Sequence, residues 1–399
     1  EVMSGHGNSE EYRPWRALIE DDQGELSCPK PSKDYLPSCW RAGQIIEERC
    51  IDNGFSESEC SIRAEEARQN YAAMGVAGHL TVPGVEIEDW LDSGQCRDCF
   101  IPSFNYRPAG SAQYGLAISN FDQNKPIRFN FGFIASSDNH RARPGTGYKE
   151  INRFVTTEAN GPSDEFIGDI LYPVDQATDR SIDLREQPLL GLRTGFGSFE
   201  AEREASFFTT GGLAAVHSSG RDRNSIWEGL RNKETYGTSG DRILLWFDLV
   251  QGETISPMGS TVTQTSNPVF RIKAVGAFEQ KPGCPDYSST NITQEHLERI
   301  CKNECYNPSD RRKNISKIEV VKITPQITQN EPLESLIKDT WKTFECKPSQ
   351  EGCEVEFFDS EFQSEGRDSI YYVRAIQEPS PVINGGNLSC SYDENGECI

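Results

Sequence analysis

Cysteine placement constrains this chain more than any other feature. Thirteen cysteines fall into three groups: Cys28, Cys39, Cys50 and Cys60; then Cys96 and Cys99; then Cys284, Cys301, Cys305, Cys346, Cys353, Cys390 and Cys398. None lies between Cys99 and Cys284. Such clustering reads as disulfide staples in irregular or small β regions, and so places the chain in an oxidising compartment, periplasmic or extracellular. Gln95-Cys96-Arg97-Asp98-Cys99 is a single Cys-x-x-Cys with no second pair at zinc-finger spacing, so the zinc-knuckle and redox readings are the weaker ones. An odd count leaves at least one cysteine without an internal partner.

A chain of 399 residues is long enough for a sizeable core, and its length favours two domains or more. No apolar run approaches the ~20 residues that cross a bilayer. The formal net charge of -22 and the absence of any dense Lys/Arg stretch exclude the usual means of binding nucleic acid. Sequons at Asn291, Asn314 and Asn387 would carry glycans only in a eukaryotic secretory setting. The chain opens on Glu1 with no visible signal peptide, which fits a piece of a longer precursor and fits a mature protein equally.

Residues 1–240 mix helical and strand patterns. Ser56-x-x-Glu59 resembles a capping box, and Cys60, Ala64, Ala67, Tyr71 and Met74 follow at 4-3-4-3 spacing before Gly75, which predicts an amphipathic helix ended by glycine. Ser225-x-x-Glu228 predicts a second helix with Ile226, Trp227 and Leu230 on its apolar side. Between them, Ile127 to Ile134 alternates Phe129, Phe131 and Phe133 against Asn130 and Gly132, the signature of a strand that delivers the chain into Asp138 and His140.

Residues 241–399 predict strands at Ile243 to Val250, Val269 to Phe278, Ile318 to Ile323, Glu354 to Phe358 and Ile370 to Ile376. A helix over Thr293 to Asn303 interrupts them, and together they read as a β-sandwich-like domain with disulfide-pinned loops.

Five histidines are available for chemistry: His6, His79, His140, His217 and His296. In Asp138-Asn139-His140 a carboxylate and an imidazole two positions apart, just past a strand, can both reach a site at that strand's C-terminal end, where α/β barrels collect their functional groups. Such a pair suits Zn, Mn or Fe. Arg143 and Lys149 follow closely and are candidates to hold an anionic substrate. His217, after the apolar run of Leu213 to Val216, is a candidate for the same mouth. His296 reads as surface.

The runs Phe133 to His140 and Arg143 to Glu150 resemble a family known only as domain of unknown function 3604. So do Trp90 to Cys99, Ile226 to Leu230 with Tyr236 to Ile243, and Tyr371 to Pro379. That family is similar to the polymerase-and-histidinol-phosphatase (PHP) superfamily. The resemblance implies a distorted, TIM-type β/α barrel over residues 1–240, two or three divalent metal ions, and hydrolysis of a small anionic phosphoester or comparable ester by metal-activated water. It further implies that Asp138 and His140 act as ligands and catalytic groups, that His79 matches a lone ligand histidine, and that Glu1 and His6 match a bridging glutamate and its companion. The superfamily's opening His-x-His is absent from this chain and is expected upstream of Glu1. A non-catalytic secreted binding or assembly protein with a degenerate barrel is the alternative reading.

Overall fold

Two helices joined by a sulfur bridge form the first folded unit of the protein, seen in a computed structural model that describes residues 1–4, 7–85, 87–91, 93–94, 110–123, 125–137, 176–185 and 212–379. Ahead of them come the short strands β1 (Met3–Ser4) and β2 (Gly7–Asn8), then β3 (Ile19–Glu20) and β4 (Leu26–Ser27), each pair antiparallel. The helices are α1 (Ser38–Asp52) and α2 (Glu57–Met74). Disulfides Cys28–Cys39 and Cys50–Cys60 pin the start of α1 and the α1–α2 turn.

The Ser56 side chain caps α2 by accepting from the Glu59 N–H at 3.3 Å, as the sequence predicts. Glu59 does not complete a reciprocal box, because its carboxylate is taken by Arg63 and Arg180. Gly75, at φ +57°, ends the helix in a conformation that favours glycine. Cys60, Ala64, Ala67 and Tyr71 are buried at the expected spacing. Ala67 and Tyr71 share a core with Ala42, Ile45, Ile46, Val82 and Trp90.

Next come α3 (Ala112–Ala117) and the ladder of β5 (Ser119–Asn120) with β6 (Ile127–Arg128). The strand expected over Ile127 to Ile134 is shorter than predicted. Its phenylalanines alternate as an extended chain requires, with Phe129–Phe131 and Phe131–Phe133 ring centroids 6.5 and 6.1 Å apart. Yet among the described residues only the two ends are paired, Ile127–Arg128 with β5 and Ala135 with Met3. Extended backbone becomes strand only where a neighbour takes its hydrogen bonds.

β7 (Leu213–Val216), α4 (Arg223–Arg231) and β8 (Thr235–Thr238) make a compact hairpin with a helical crossover. α4 starts earlier than the Ser225 box suggests, because the Asp222 carboxylate accepts from the N–H groups of Asn224 and Ser225 and becomes the cap. Its expected apolar side is not buried either: Trp227 is 63% exposed, and the helix docks through Gly229.

The remaining strands build two sheets on one core. β9 (Leu244–Gln251), β10 (Thr254–Pro257), β11 (Val269–Val275) and β16 (Cys353–Phe358) order as β10-β9-β11-β16. β14 (Ile315–Ile323), β15 (Ile337–Glu345) and β17 (Ile370–Gln377) order as β15-β14-β17. Phe270, Ile272, Ala274 and Phe357 of the first sheet meet Ile318 and Val320 of the second, with Trp341, Phe344 and Tyr371 at the margins. The two sheets thus share one core, built on the apolar residues that alternate along β11. Disulfide Cys346–Cys353 joins the two sheets across one corner. A separate ladder of β12 (Phe278–Gln280) and β13 (Pro308–Arg312) brackets the short helices α5 (Ser288–Asn291) and α6 (Gln294–Cys301), which Cys284–Cys305 staples.

Overall, the content is mixed helix and sheet, with several small sheets and no closed barrel among the described residues. No helix among them is long and apolar enough to cross a membrane.

Candidate functional site

The first four residues lie against the segment that leads to Asp138. Met3 forms a parallel bridge with Ala135, the one parallel pairing among the described residues. The Val2 N–H donates to Ile134 O at 2.8 Å, and the Ser136 N–H donates to Met3 O at 3.0 Å. On the other side the Gly212 N–H donates to Ser136 O at 2.5 Å. The backbone of Ser136 is therefore fixed by two neighbours at once.

Small residues permit this approach. A Cβ on Gly212 would sit 2.4 Å from the Ala135 Cβ, and one on Gly237 would sit 2.8 Å from it. Side chains at either position would drive the segments apart.

The carboxylate of Glu1, exposed to solvent, accepts a hydrogen bond from the Ser136 hydroxyl. The structure thus brings Glu1 to the residue two positions before Asp138. Asp138 and His140 themselves, with His6, Arg143 and Lys149, lie outside the described residues. His79 sits half-buried on the turn of Gly75–Thr81 that follows α2, where its carbonyl accepts from the Val82 N–H at 3.2 Å. Beside it, Gly78 lies flat on the Tyr71 ring.

His217 is placed elsewhere than its sequence position suggests. Gly212, at the start of β7, bonds Ser136, whereas the His217 N–H donates to Glu234 O, level with Lys233 and Thr235, which flank Gly132. His217 therefore lies towards the Gly132 end of the extended segment, away from the Ser136 end. Its Nε2 is 2.8 Å from Leu245 O, and its ring packs between Tyr236 and Trp246. A carbonyl only accepts, so Nε2 carries the proton and the imidazole anchors β7 to the sandwich.

What holds the N-terminal segment in place is a half-buried ion network that single-sequence reasoning missed. Arg374 of β17 meets Glu10 at 2.7 Å, Asp339 at 2.6 Å, Glu11 at 3.3 Å and Glu319 at 3.4 Å. The Tyr372 hydroxyl donates to Glu10 at 2.6 Å, and Gln113 of α3 donates to it in turn at 2.9 Å. Burial pushes the Tyr372 hydroxyl well above its ordinary range, with Glu10 adding to the effect, so it remains a donor. Burial also raises the Glu11 carboxyl, against the pull of Arg374. Phe133 packs edge-on to Tyr372 at 5.0 Å, which ties the Asp138-bearing segment to the same strand. The only available signal was that Arg374 lies within the Tyr371 to Pro379 run that carries the family resemblance.

Residues 106–248 match the profile of a family described as "Protein of unknown function (DUF3604)". The matched span includes Ser136, the Asp138-Asn139-His140 motif and the hairpin of β7 and β8, and it supports the resemblance to that family. No curated protein and no solved structure matches the chain.

Proposed function

We propose that this protein is a metal-dependent hydrolase of phosphoesters or comparable small anionic esters, working outside the cytoplasm in a periplasmic or extracellular space. The reading rests on the parallel contact of Met3 with Ala135 and the bond from Ser136 to Glu1, which set the chain's first residues beside the approach to Asp138. Parallel neighbours whose functional groups gather at one end are what a β/α barrel of the PHP type requires. Four disulfides among the described residues accord with an oxidising compartment.

In this proposal Asp138 and His140 bind the ion, with Glu1, His6 and His79 completing a set of oxygen and nitrogen donors suited to Zn, Mn or Fe. A divalent cation there supplies Lewis acidity and lowers the pKa of a coordinated water. The chain's own contribution is position. Ser136 holds the Glu1 carboxylate by its hydroxyl, while its backbone is clamped between Met3 and Gly212, so the residues that follow it leave from a fixed base. The Arg374 network holds residues 10 and 11 and thereby steadies the first strand. Arg143 and Lys149 are assigned to the anionic end of the substrate.

The test is metal analysis of the full-length purified protein together with hydrolysis of nitrophenyl phosphate, bis-nitrophenyl phosphate and nitrophenyl acetate. Bound Zn, Mn or Fe, and loss of both metal and hydrolysis in Asp138→Ala and His140→Ala, is the expected result. Full-length protein that holds no metal and cleaves none of the three esters overturns the reading and favours a binding or assembly role.

A further inference from the structure

Three sulfur atoms meet at the edge of the sandwich, and only two are bonded to each other. Cys284 and Cys305 form a disulfide, while Cys301 is a free thiol. Its Sγ lies 3.4 Å from the Sγ of Cys305 and 4.0 Å from that of Cys284. Chance placement does not explain this closeness. Cys301 is the last residue of α6, and Cys305 follows four positions later, past Lys302 and Asn303, both at positive φ. That turn folds the chain back so that the two sulfurs face each other. All three cysteines are half-buried, and the rest of the contact is local: Cys301 donates to Leu297 O at 3.2 Å, and the Gly283 N–H donates to Glu304 at 2.9 Å.

We propose that Cys284, Cys301 and Cys305 form a thiol–disulfide exchange centre, in which Cys301 and Cys284 alternate as the free thiol. A deprotonated Cys301 attacks the Sγ of Cys305. The Cys301–Cys305 bond forms as the Cys284–Cys305 bond breaks, and Cys284 leaves as a thiolate that takes up a proton. One disulfide and one thiol stand on each side, so no external oxidant or reductant is needed. Displacement at sulfur runs in line, and contacts of 3.4 and 4.0 Å set Cys301 beside the bond instead. Rotation about its Cα–Cβ bond, with loss of the bond to Leu297 O, completes the approach.

The two pairings differ in what they hold. Cys284–Cys305 fastens the segment leading into α5, including Tyr287, which is 70% exposed, to the turn after α6. Cys301–Cys305 spans little more than one helical turn and leaves that segment tied by hydrogen bonds such as Asn307 Nδ2 to Pro282 O at 3.0 Å. Exchange therefore frees a surface segment and exposes a reactive thiol at its base. The next residue, Tyr306, has its ring under the Arg242 guanidinium at 3.9 Å, so the centre adjoins the strand that opens the sandwich.

The experiment is disulfide mapping of the oxidised, full-length protein. Trypsin places the three cysteines on separate peptides, because it cuts after Arg299 and Lys302. Protein held at pH 8 is blocked with N-ethylmaleimide over a time course, quenched in acid and mapped without reduction. The expected result is label on both Cys301 and Cys284, with the Cys301 and Cys305 peptides linked in the molecules labelled at Cys284. In Cys301→Ser, labelling of Cys284 is lost entirely. Label confined to Cys301 at every time point, with Cys284–Cys305 as the sole linkage, overturns the proposal. So does Cys284 label that persists in Cys301→Ser, since that reports reduction and not exchange.

Discussion

The Ser136 hydroxyl donates to the Glu1 carboxylate, joining two residues 135 positions apart in the chain. The same serine is bonded through its backbone to Met3 and to Gly212. One residue thus sets both the orientation of a candidate ligand and the direction in which the chain departs towards Asp138 and His140.

Ser136→Ala separates these two roles. Backbone bonds survive the change, so the fold is expected to hold, while Glu1 loses the donor that orients it. Loss of such a supporting hydrogen bond typically weakens metal affinity by ~10–100-fold. Metal retention after dialysis against a graded chelator series measures it, and retention equal to the parent protein removes Ser136 from the account.

A second prediction concerns the interior of the sandwich. Lys322 and Asp359 are both fully buried, with Nζ to Oδ2 at 2.7 Å, and Glu365 and the Tyr371 hydroxyl complete their hydrogen bonds. Removing one partner strands the other charge, at a cost of about 3–5 kcal/mol, whereas replacing both with apolar groups costs far less. Urea unfolding is therefore expected to show a large loss for Lys322→Met and substantial recovery for Lys322→Met combined with Asp359→Leu. A single variant within about 1 kcal/mol of the parent would contradict the pair's assigned role.

These two sites differ in how far they could be read beforehand. β11 and β16 were legible because their apolar residues alternate, β9, β14 and β17 because short apolar runs rich in β-branched and aromatic residues favour strand, and α2 because its spacing and its Ser56 and Gly75 ends agree. β15 was not. Its apolar residues Ile337, Trp341 and Phe344 stand four and three apart, a helical spacing, because a bulge opposite Val321 shifts the register between Lys338 and Lys342. Lys322 sits on a strand that otherwise reads as core, and nothing local says that Asp359 will arrive to meet it. The contact of Glu1 with Ser136 was equally invisible as geometry; only family resemblance put the two segments in one site. α4 was legible as a helix but its docking face was not, because a helix can dock through a glycine as well as through an apolar stripe.

The carboxylates predict a stability profile with two slopes. Burial opposes ionisation of Asp339, Asp359 and Glu365, but Arg374 holds the first, and Lys322 the other two, below the usual carboxylate range. Their contribution is present above an unfolded pKa of about 4 and is lost as pH falls towards their folded values. Glu11 has the opposite sign. Its folded pKa is raised, so its protonation favours the fold, and that contribution is lost as pH rises through the raised value. Melting temperature is expected to rise slightly as pH drops from 7 towards the mid-acid range and then to fall below about pH 4. Glu11→Gln should flatten the first slope and spare the second. A parent profile that declines steadily from pH 7 would reverse the sign given to Glu11.

Gly229 supplies a last prediction, in which two effects of opposite sign compete. Alanine is the better helix former by about 1 kcal/mol, so an exposed helical glycine gains from the exchange. Here, however, a Cβ would stand 2.3 Å from His217 O and 2.7 Å from Val216 Cγ2. The nearer atom is a backbone carbonyl just past β7, in a residue whose N–H is bonded to Glu234 O, and it cannot yield as a flexible side chain would. Overpacking against such a neighbour costs about 1–3 kcal/mol, enough to cancel or exceed the propensity gain. Gly229→Ala should therefore lower stability in denaturant unfolding, while Glu228→Ala on the exposed side of α4 changes it little. Because α4 presses on the same residue that anchors β7 to Leu245, the variant should also perturb the fluorescence of Trp246, whose indole packs on His217. A stabilised Gly229→Ala protein with unchanged Trp246 emission would mean that α4 does not dock through this glycine.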